Sequence, residues 1–196
     1  MASPEKMIEI RWHGRGGQGA VTSAEMLALA AISEGKYAQA FPSFGPERRG
    51  APVQAFVRVA GQQIRVRSSI TEPDVVVVLD PGLLKIVDVT SGLKSGGIVV
   101  INTTKTAQQI RDEFKIKARI ATLGATKIAQ EVLGVPITNT TMIGAMLRAR
   151  DIVKIESLSD PLKQRFGRLG DRNIESMKRA YAETIVEELA GDQVRR

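Results

Sequence analysis

A glycine-rich turn near the start of the chain is the stretch of this sequence best suited to bind a ligand. The apolar run 7–12 predicts a strand and residues 20–32 predict a helix, joined by His13-Gly14-Arg15-Gly16-Gly17-Gln18-Gly19. Glycines let a backbone turn sharply and let another group approach it closely. Because the first amides of a helix are unpaired and carry the positive end of its dipole, such a turn favours an anion such as a phosphate.

The glycine spacing resembles two well-known nucleotide sites but lacks the residues that complete either one. Gly14, Gly16 and Gly19 match G-x-G-x-x-G between a strand and a helix. A dinucleotide site also needs an acidic residue at the end of the second strand, yet residues 37–41 are followed by Pro42-Ser43. A P-loop is excluded because no Gly-Lys-Ser/Thr follows the turn. The turn therefore predicts anion binding of another kind.

The predicted anion contacts come from the whole turn, with the Arg15 guanidinium beside the amides. They are Gly14, Arg15, Gly16, Gly17, Gln18 and Gly19. The alternative is that these glycines only allow another subunit to pack closely. His13 should stay neutral because the helix dipole disfavours its cation. With no nucleophile or second acid nearby in the sequence, we assign no catalytic residue.

A second stretch, residues 41–52, predicts an ordered loop that contacts another protein. It contains three prolines, two glycines and two aromatic residues, so it is too apolar for a flexible linker and too broken for a helix or strand. Arginine is favoured at interfaces because its planar fork pairs with carboxylates or phosphates. The alternative is a rigid connector. The predicted interface residues are Phe41, Ser43, Phe44, Pro46, Glu47, Arg48 and Arg49.

Composition excludes several classes of site. The 196-residue chain has no cysteine, which rules out disulfides and cysteine-ligated iron–sulfur clusters, and its one histidine argues against a metal site. The charge of +7 favours anionic partners, but with 4% aromatic residues and no nucleic-acid motif we predict no nucleic-acid binding. No apolar run approaches the ~18 residues of a membrane span, and no secretory pattern is visible. We expect no membrane contact and a cytoplasmic location.

The remaining pattern predicts one α/β domain over residues 1–196. Continuous β-branched runs at 75–79 and 98–101 indicate strands buried on both faces, and helices alternate with them. This predicts a three-layer α/β/α fold with a mixed, mostly parallel sheet and a helical C-terminal third. A central hairpin should pair 53–59 with 63–67 and place Arg58 on the face opposite the apolar one. Asp80 and Asn102 end strands where α/β ligand sites lie, with turn capping as the alternative.

Together the two motifs resemble the gamma subunit of the 2-oxoacid:ferredoxin oxidoreductases, with the pyruvate enzyme as the nearest match. The residues that carry the resemblance are His13 to Gly19 followed by Phe41-Pro42-Ser43-Phe44-Gly45-Pro46-Glu47-Arg48-Arg49-Gly50-Ala51-Pro52-Val53. It extends over most of the chain, including the strand and break at 75–81, the strand at 97–102 and the helix that begins near Asn139-Thr140.

The resemblance implies a subunit of an enzyme that converts pyruvate and coenzyme A to acetyl-CoA and carbon dioxide and reduces ferredoxin, reversibly. It implies alpha, beta and delta partner subunits, with thiamine diphosphate and Mg²⁺ between alpha and beta, and 4Fe–4S clusters in beta and delta. This chain would hold no cofactor alone, and would serve as a scaffold that contributes to coenzyme A binding. The alternatives are a free-standing nucleotide- or acyl-CoA-binding module and, ranked lower, a nucleic-acid-binding protein.

Overall fold

The computed structural model describes residues 6–43 and 50–189. The strands are β1 (Ile8–Arg15), β2 (Tyr37–Pro42), β3 (Pro52–Ala60), β4 (Val75–Val78), β5 (Ile98–Asn102), β6 (Arg119–Leu123) and β7 (Ile185–Glu187). The helices are α1 (Ala20–Ser33), α2 (Ala107–Phe114), α3 (Ala125–Leu133), α4 (Asn139–Ala149), α5 (Ser159–Phe166) and α6 (Gly170–Glu183). Short 3₁₀ helices span Pro81–Lys85, Ile155–Leu158 and Gly167–Leu169.

The strands of the described chain form one mixed sheet in the order β2-β3-β1-β4-β5-β6-β7. β1, β4, β5 and β6 are parallel neighbours. β3 is antiparallel to β1 and β2, and β7 is antiparallel to β6. Five strands thus point the same way, and α4 to α6 lie in the C-terminal third, so the predicted α/β architecture is confirmed.

The predicted hairpin partner is wrong. Residues 53–59 lie in β3 as expected, but the strand that forms the hairpin with β3 is β2, before it in the chain, and residues 63–67 form no strand. The backbone carbonyls of segment 63–68 instead accept hydrogen bonds from side chains of β2 and β3. Arg58 Nη2 donates to the carbonyl of Ser68 (2.8 Å), and Gln39 Nε2 donates to that of Ile64 (3.1 Å).

Arg58 is buried against an acidic side chain that compensates its charge. The residue is 1% exposed, and its Nε donates to Glu9 Oε1 at 2.9 Å. Lys94 bridges Glu9 and Asp74 at 3.1 and 2.9 Å, which links β1 to the loops beside it. Burial alone would lower the pKa of Lys94, but its hydrogen bonds and charge contacts with these two carboxylates raise it.

Two hydrophobic cores cover the two faces of the sheet and make the three layers. Along β4, Val75 and Val77 pack into the core under α1, α4 and α6, whereas Val76 and Val78 pack into the core under α2. This double burial explains why the strand is a continuous β-branched run. No helix within the described residues is both long and apolar enough to cross a membrane.

Candidate functional site

The glycine turn lies at the switch point of the sheet. β1 and β4 are parallel neighbours, and the chain leaves β1 towards β2 at one side of the sheet and leaves β4 towards β5 at the other. Ligands of open α/β sheets bind in the crevice outside the carboxyl ends of such strands. Here residues 16–19 follow β1, and Asp80-Pro81-Gly82 follows β4.

Two glycines of the turn adopt backbone angles that favour glycine. Gly17 has φ +95° and Gly19 has φ +81°, both in the left-handed region. A Cβ at Gly17 would meet no atom of the described residues within 4 Å, so none of them covers the surface above it. A Cβ at Gly19 would lie 2.7 Å from Asn139 Nδ2, so this glycine also lets α4 begin close to the start of α1.

The structure uses some of the predicted anion-binding amides internally. The Gly16 amide donates to the Ala51 carbonyl (3.0 Å), and the Gln18 amide donates to the Arg15 carbonyl (2.9 Å). Within the described residues, the amides of Gly17 and Gly19 have no partner, and α1 has no side-chain cap at its start. The free donors of the turn are therefore fewer than the sequence suggested.

Arg15 is held by groups on both sides of the turn. Its Nε donates to Asp80 Oδ2 at 2.6 Å, and its Nη1 donates to the Gly50 carbonyl at 3.1 Å. Asp80 also accepts from the Gly82 amide at 2.8 Å, so it both caps the 3₁₀ helix and neutralises Arg15. The Arg15 side chain remains 33% exposed. The sequence predicted Asp80 as a strand end with capping as the alternative, and the cap is confirmed, but the ion pair with Arg15 was missed because it spans 65 positions.

The two sequence motifs meet in space. The Gly50 amide donates to the Gly16 carbonyl (3.3 Å), which ties the far end of the 41–52 segment to the glycine turn. At the near end, the Ser43 amide donates to the Gln54 carbonyl (2.9 Å), and the Phe41 ring lies 5.3 Å from that of Phe56. The predicted interface residues Phe44, Pro46, Glu47, Arg48 and Arg49 lie outside the described residues.

His13 lies inside the protein, in β1 rather than in the turn. It is 2% exposed, and its Nε2 accepts from Arg11 Nε at 3.1 Å. Burial first, and the Arg11 charge second, lower the pKa of His13 to about 3, against a smaller opposing effect of Asp88. The imidazole is therefore neutral as predicted, but the cause is its surroundings within the sheet and not the dipole of α1.

The side chain of Asn102 forms hydrogen bonds within the protein at the carboxyl edge of the sheet. Its Nδ2 donates to the Leu79 carbonyl and to Thr126 Oγ1, both at 2.9 Å, and its Oδ1 accepts from the Thr126 amide. These contacts connect the ends of β4 and β5 to the start of α3. No group of three or more His, Cys, Asp or Glu side chains in the described ranges could hold a metal ion.

Comparisons with known proteins give consistent results over nearly the whole chain. A family model described as pyruvate ferredoxin/flavodoxin oxidoreductase matches residues 9–183. The chain is 57% identical over 185 residues to the common gamma subunit of the pyruvate/ketoisovalerate oxidoreductases of Thermococcus litoralis, covering 93% of this chain and 100% of that protein. It is 53% identical over 176 residues to pyruvate synthase subunit PorC of Methanothermobacter marburgensis, covering 89% and 96%.

Solved structures share the fold. The pyruvate oxidoreductase subunit PORC of Thermotoga maritima is 38% identical with a TM-score of 0.84, covering 94% of this chain and 100% of that one. The 2-oxoglutarate:ferredoxin oxidoreductase of Magnetococcus marinus, solved with 2-oxoglutarate, coenzyme A and succinyl-CoA bound, is 20% identical with a TM-score of 0.74. The match covers 91% of this chain but 31% of that one, so there the fold is part of a longer polypeptide.

Proposed function

Because this chain belongs to the pyruvate ferredoxin/flavodoxin oxidoreductase family, we propose that it is the gamma subunit of a multisubunit pyruvate:ferredoxin oxidoreductase in the cytoplasm. The observation that carries the proposal is identity above 50% to gamma and PorC subunits over at least 89% of this chain. The assembled enzyme would convert pyruvate and coenzyme A to acetyl-CoA and carbon dioxide, passing the two released electrons to ferredoxin.

This chain contributes structure to that reaction, and the redox centres belong to its partners. Without cysteine it cannot ligate an iron–sulfur cluster through thiolates, which agrees with the family resemblance that implies clusters in the beta and delta subunits. Thiamine diphosphate, when bound with Mg²⁺ between alpha and beta, supplies the stabilised carbanion for decarboxylation. The described residues of this chain offer no acidic cluster for that Mg²⁺.

The glycine turn is the part of this chain proposed to contact coenzyme A. Among residues 6–43 and 50–189, nothing covers Gly17 and no group accepts from the amides of Gly17 and Gly19, so these amides and the start of α1 suit a phosphate group. Arg15 lies beside them and keeps one third of its side chain exposed. The alternative is that the turn only packs against another subunit, and the KM for coenzyme A distinguishes the two roles.

Arg15→Ala in the assembled enzyme is expected to raise the apparent KM for coenzyme A by about tenfold or more, since hydrogen bonds to charged groups contribute about 1.5–3 kcal/mol. The KM for pyruvate should stay unchanged. Steady-state ferredoxin reduction at varied coenzyme A measures this effect. Arg172→Ala, at an exposed position in α6, is the matched control. An unchanged coenzyme A KM for Arg15→Ala in an intact complex would leave the turn with a packing role only.

The 41–52 segment is proposed to contact the catalytic subunits. Both of its described ends are held by backbone hydrogen bonds, the Ser43 amide to the Gln54 carbonyl and the Gly50 amide to the Gly16 carbonyl. Affinity purification of the tagged chain with its co-expressed partners tests the function and this surface together. The chain is expected to recover thiamine- and iron-containing partners, and Arg48→Ala with Arg49→Ala should lower that recovery. Failure to recover any such partner would contradict the proposed function.

A further inference from the structure

The outer face of α1 is apolar although solvent would cover it in the isolated chain. Between Ala20 and Ser33, Glu25 is the only charged residue, whereas α6, of equal length, carries six. One face of α1 packs on the sheet through Ala24, Leu27 and Ala31. On the other face, Leu29 is 47% and Ile32 is 53% exposed. A helix that is apolar on all sides is typical of one that is buried on all sides.

This face borders a groove of about 510 Å³ formed by α1, the edge strand β2 and α5. We call it the α1 groove. Its small residues, Ala28, Ala38 and Ala40, leave space, while Leu29 and Ile32 are large and exposed beside them. The surface therefore contains both protrusions and the hollows that could receive them.

Two opposite charges line the same groove. Glu25 lies on α1 and Arg165 lies on α5, and both are exposed. Neither side chain forms an ion pair or hydrogen bond with any other of the described residues. Two unpaired charges of opposite sign at one apolar groove indicate a partner that presents the complementary pair.

We propose that the α1 groove is a twofold interface with a second copy of this chain. In an isologous interface both copies use the same surface. If residue i of one copy contacts residue j of the other, then residue j of the first copy contacts residue i of the second. A twofold axis near α1 would place Glu25 of each copy against Arg165 of the other, and Leu29 and Ile32 into the hollow over the alanines. Because the surface carries both charges, and both the protruding side chains and the hollow, it is complementary to a second copy of itself. The interface is separate from the carboxyl edge of the sheet, so it does not depend on the proposed function.

Analytical ultracentrifugation of the purified full-length chain tests this interface. We expect a dimer, and Leu29→Glu should raise its dissociation constant at least about tenfold because it buries an unpaired charge. Ile86→Glu is the matched control, since Ile86 is 61% exposed and lies outside the groove. Its dissociation constant should stay unchanged. A chain that remains monomeric at about 100 µM would overturn the proposal.

Charge reversal tests the geometry of the interface more directly. Glu25→Arg or Arg165→Glu alone should each weaken the dimer, because each creates two like-charge contacts, and the two changes together should restore it. Both positions are exposed, so circular dichroism should show an unchanged fold even if Leu29→Glu unfolds. The assignment would be overturned if the dissociation constant of the dimer were unchanged in all three variants, or if the double variant dimerised no more tightly than the single ones. Burial of the groove only when other subunits are added would also overturn it.

Discussion

Replacing Gly144 with alanine is expected to lower the free energy of unfolding by about 3 kcal/mol, because the backbones of α4 and α6 touch at this position. A Cβ at Gly144 would lie 2.0 Å from the Met177 carbonyl oxygen and 3.1 Å from the Tyr181 amide nitrogen. Both atoms belong to the backbone of a helix, so they cannot move as a flexible side chain can. The added methyl group would push the helices apart.

Separating α4 from α6 would also disturb their buried contacts. Thr141 and Ser176 share a hydrogen bond of 2.7 Å between hydroxyl oxygens, and both residues are fully buried. Chemical denaturation of the isolated chain measures the change. Gly124→Ala is the matched control, since its Cβ would make only an ordinary 3.5 Å contact with Thr104 Cγ2. We expect that control to change stability by about 0.5 kcal/mol or less. Equal stability of the two variants would contradict the packing described.

The second large effect is a loss of stability in acid that originates at His13. Its pKa is lowered to about 3 in the folded protein, chiefly by burial, and is near 6.5 when the chain unfolds. Between pH 6.5 and about 3, His13 therefore binds a proton in the unfolded chain but not in the folded protein. Stability from this group is complete above pH 6.5 and falls by about 1.4 kcal/mol per pH unit as the pH approaches 3.

His13→Gln isolates this contribution, because glutamine can still accept a hydrogen bond from Arg11 but does not titrate. At pH 7.5 His13 is neutral whether the protein is folded or unfolded. The variant should be less stable than the wild type there, because it loses the packing of the native imidazole. Between pH 6.5 and 4.5 its disadvantage should shrink by about 2–3 kcal/mol. Urea unfolding curves at several pH values measure the difference. Parallel pH profiles for the two proteins would show that His13 is not held neutral by its surroundings.

Local patterns were enough to predict the parts of the fold that depend on neighbours in sequence. The strands at 75–78 and 98–102 were visible as apolar runs, since burial on both faces leaves no polar alternation. The glycine turn is also a local signal, because it lies between the short strand pattern at 7–12 and the apolar helix pattern at 20–32. Its left-handed residues, Gly17 and Gly19, need glycine whatever the rest of the chain does.

The sequence pattern did not predict contacts between residues that are far apart in the chain. The segment 53–59 has apolar runs before and after it, and the sequence pattern alone does not select β2 over 63–67. Burial of Arg58 decides it, because this side chain needs Glu9 from β1 and carbonyls from the later segment. The ion pair of Arg15 with Asp80 is similar. It joins two strand ends that become neighbours only when β1 and β4 pair.

The same limit applies to the candidate site. Sequence reasoning identified the glycine turn and the 41–52 segment as separate features, whereas the bonds between Gly16 and residues 50–51 make them one surface. Within the described residues, that surface combines the free amides of Gly17 and Gly19 with the hydrogen-bonded ends of the 41–52 segment. It therefore suits contact with a ligand and with other subunits at one place.

The most direct test of the proposed role is pyruvate- and coenzyme A-dependent reduction of ferredoxin by the enzyme assembled with and without this chain. We predict no activity for the chain alone and a large loss of turnover when it is left out, with recovery when the purified chain is added back. Full activity of the alpha, beta and delta subunits without it, or pyruvate oxidation by the isolated chain, would contradict the assignment.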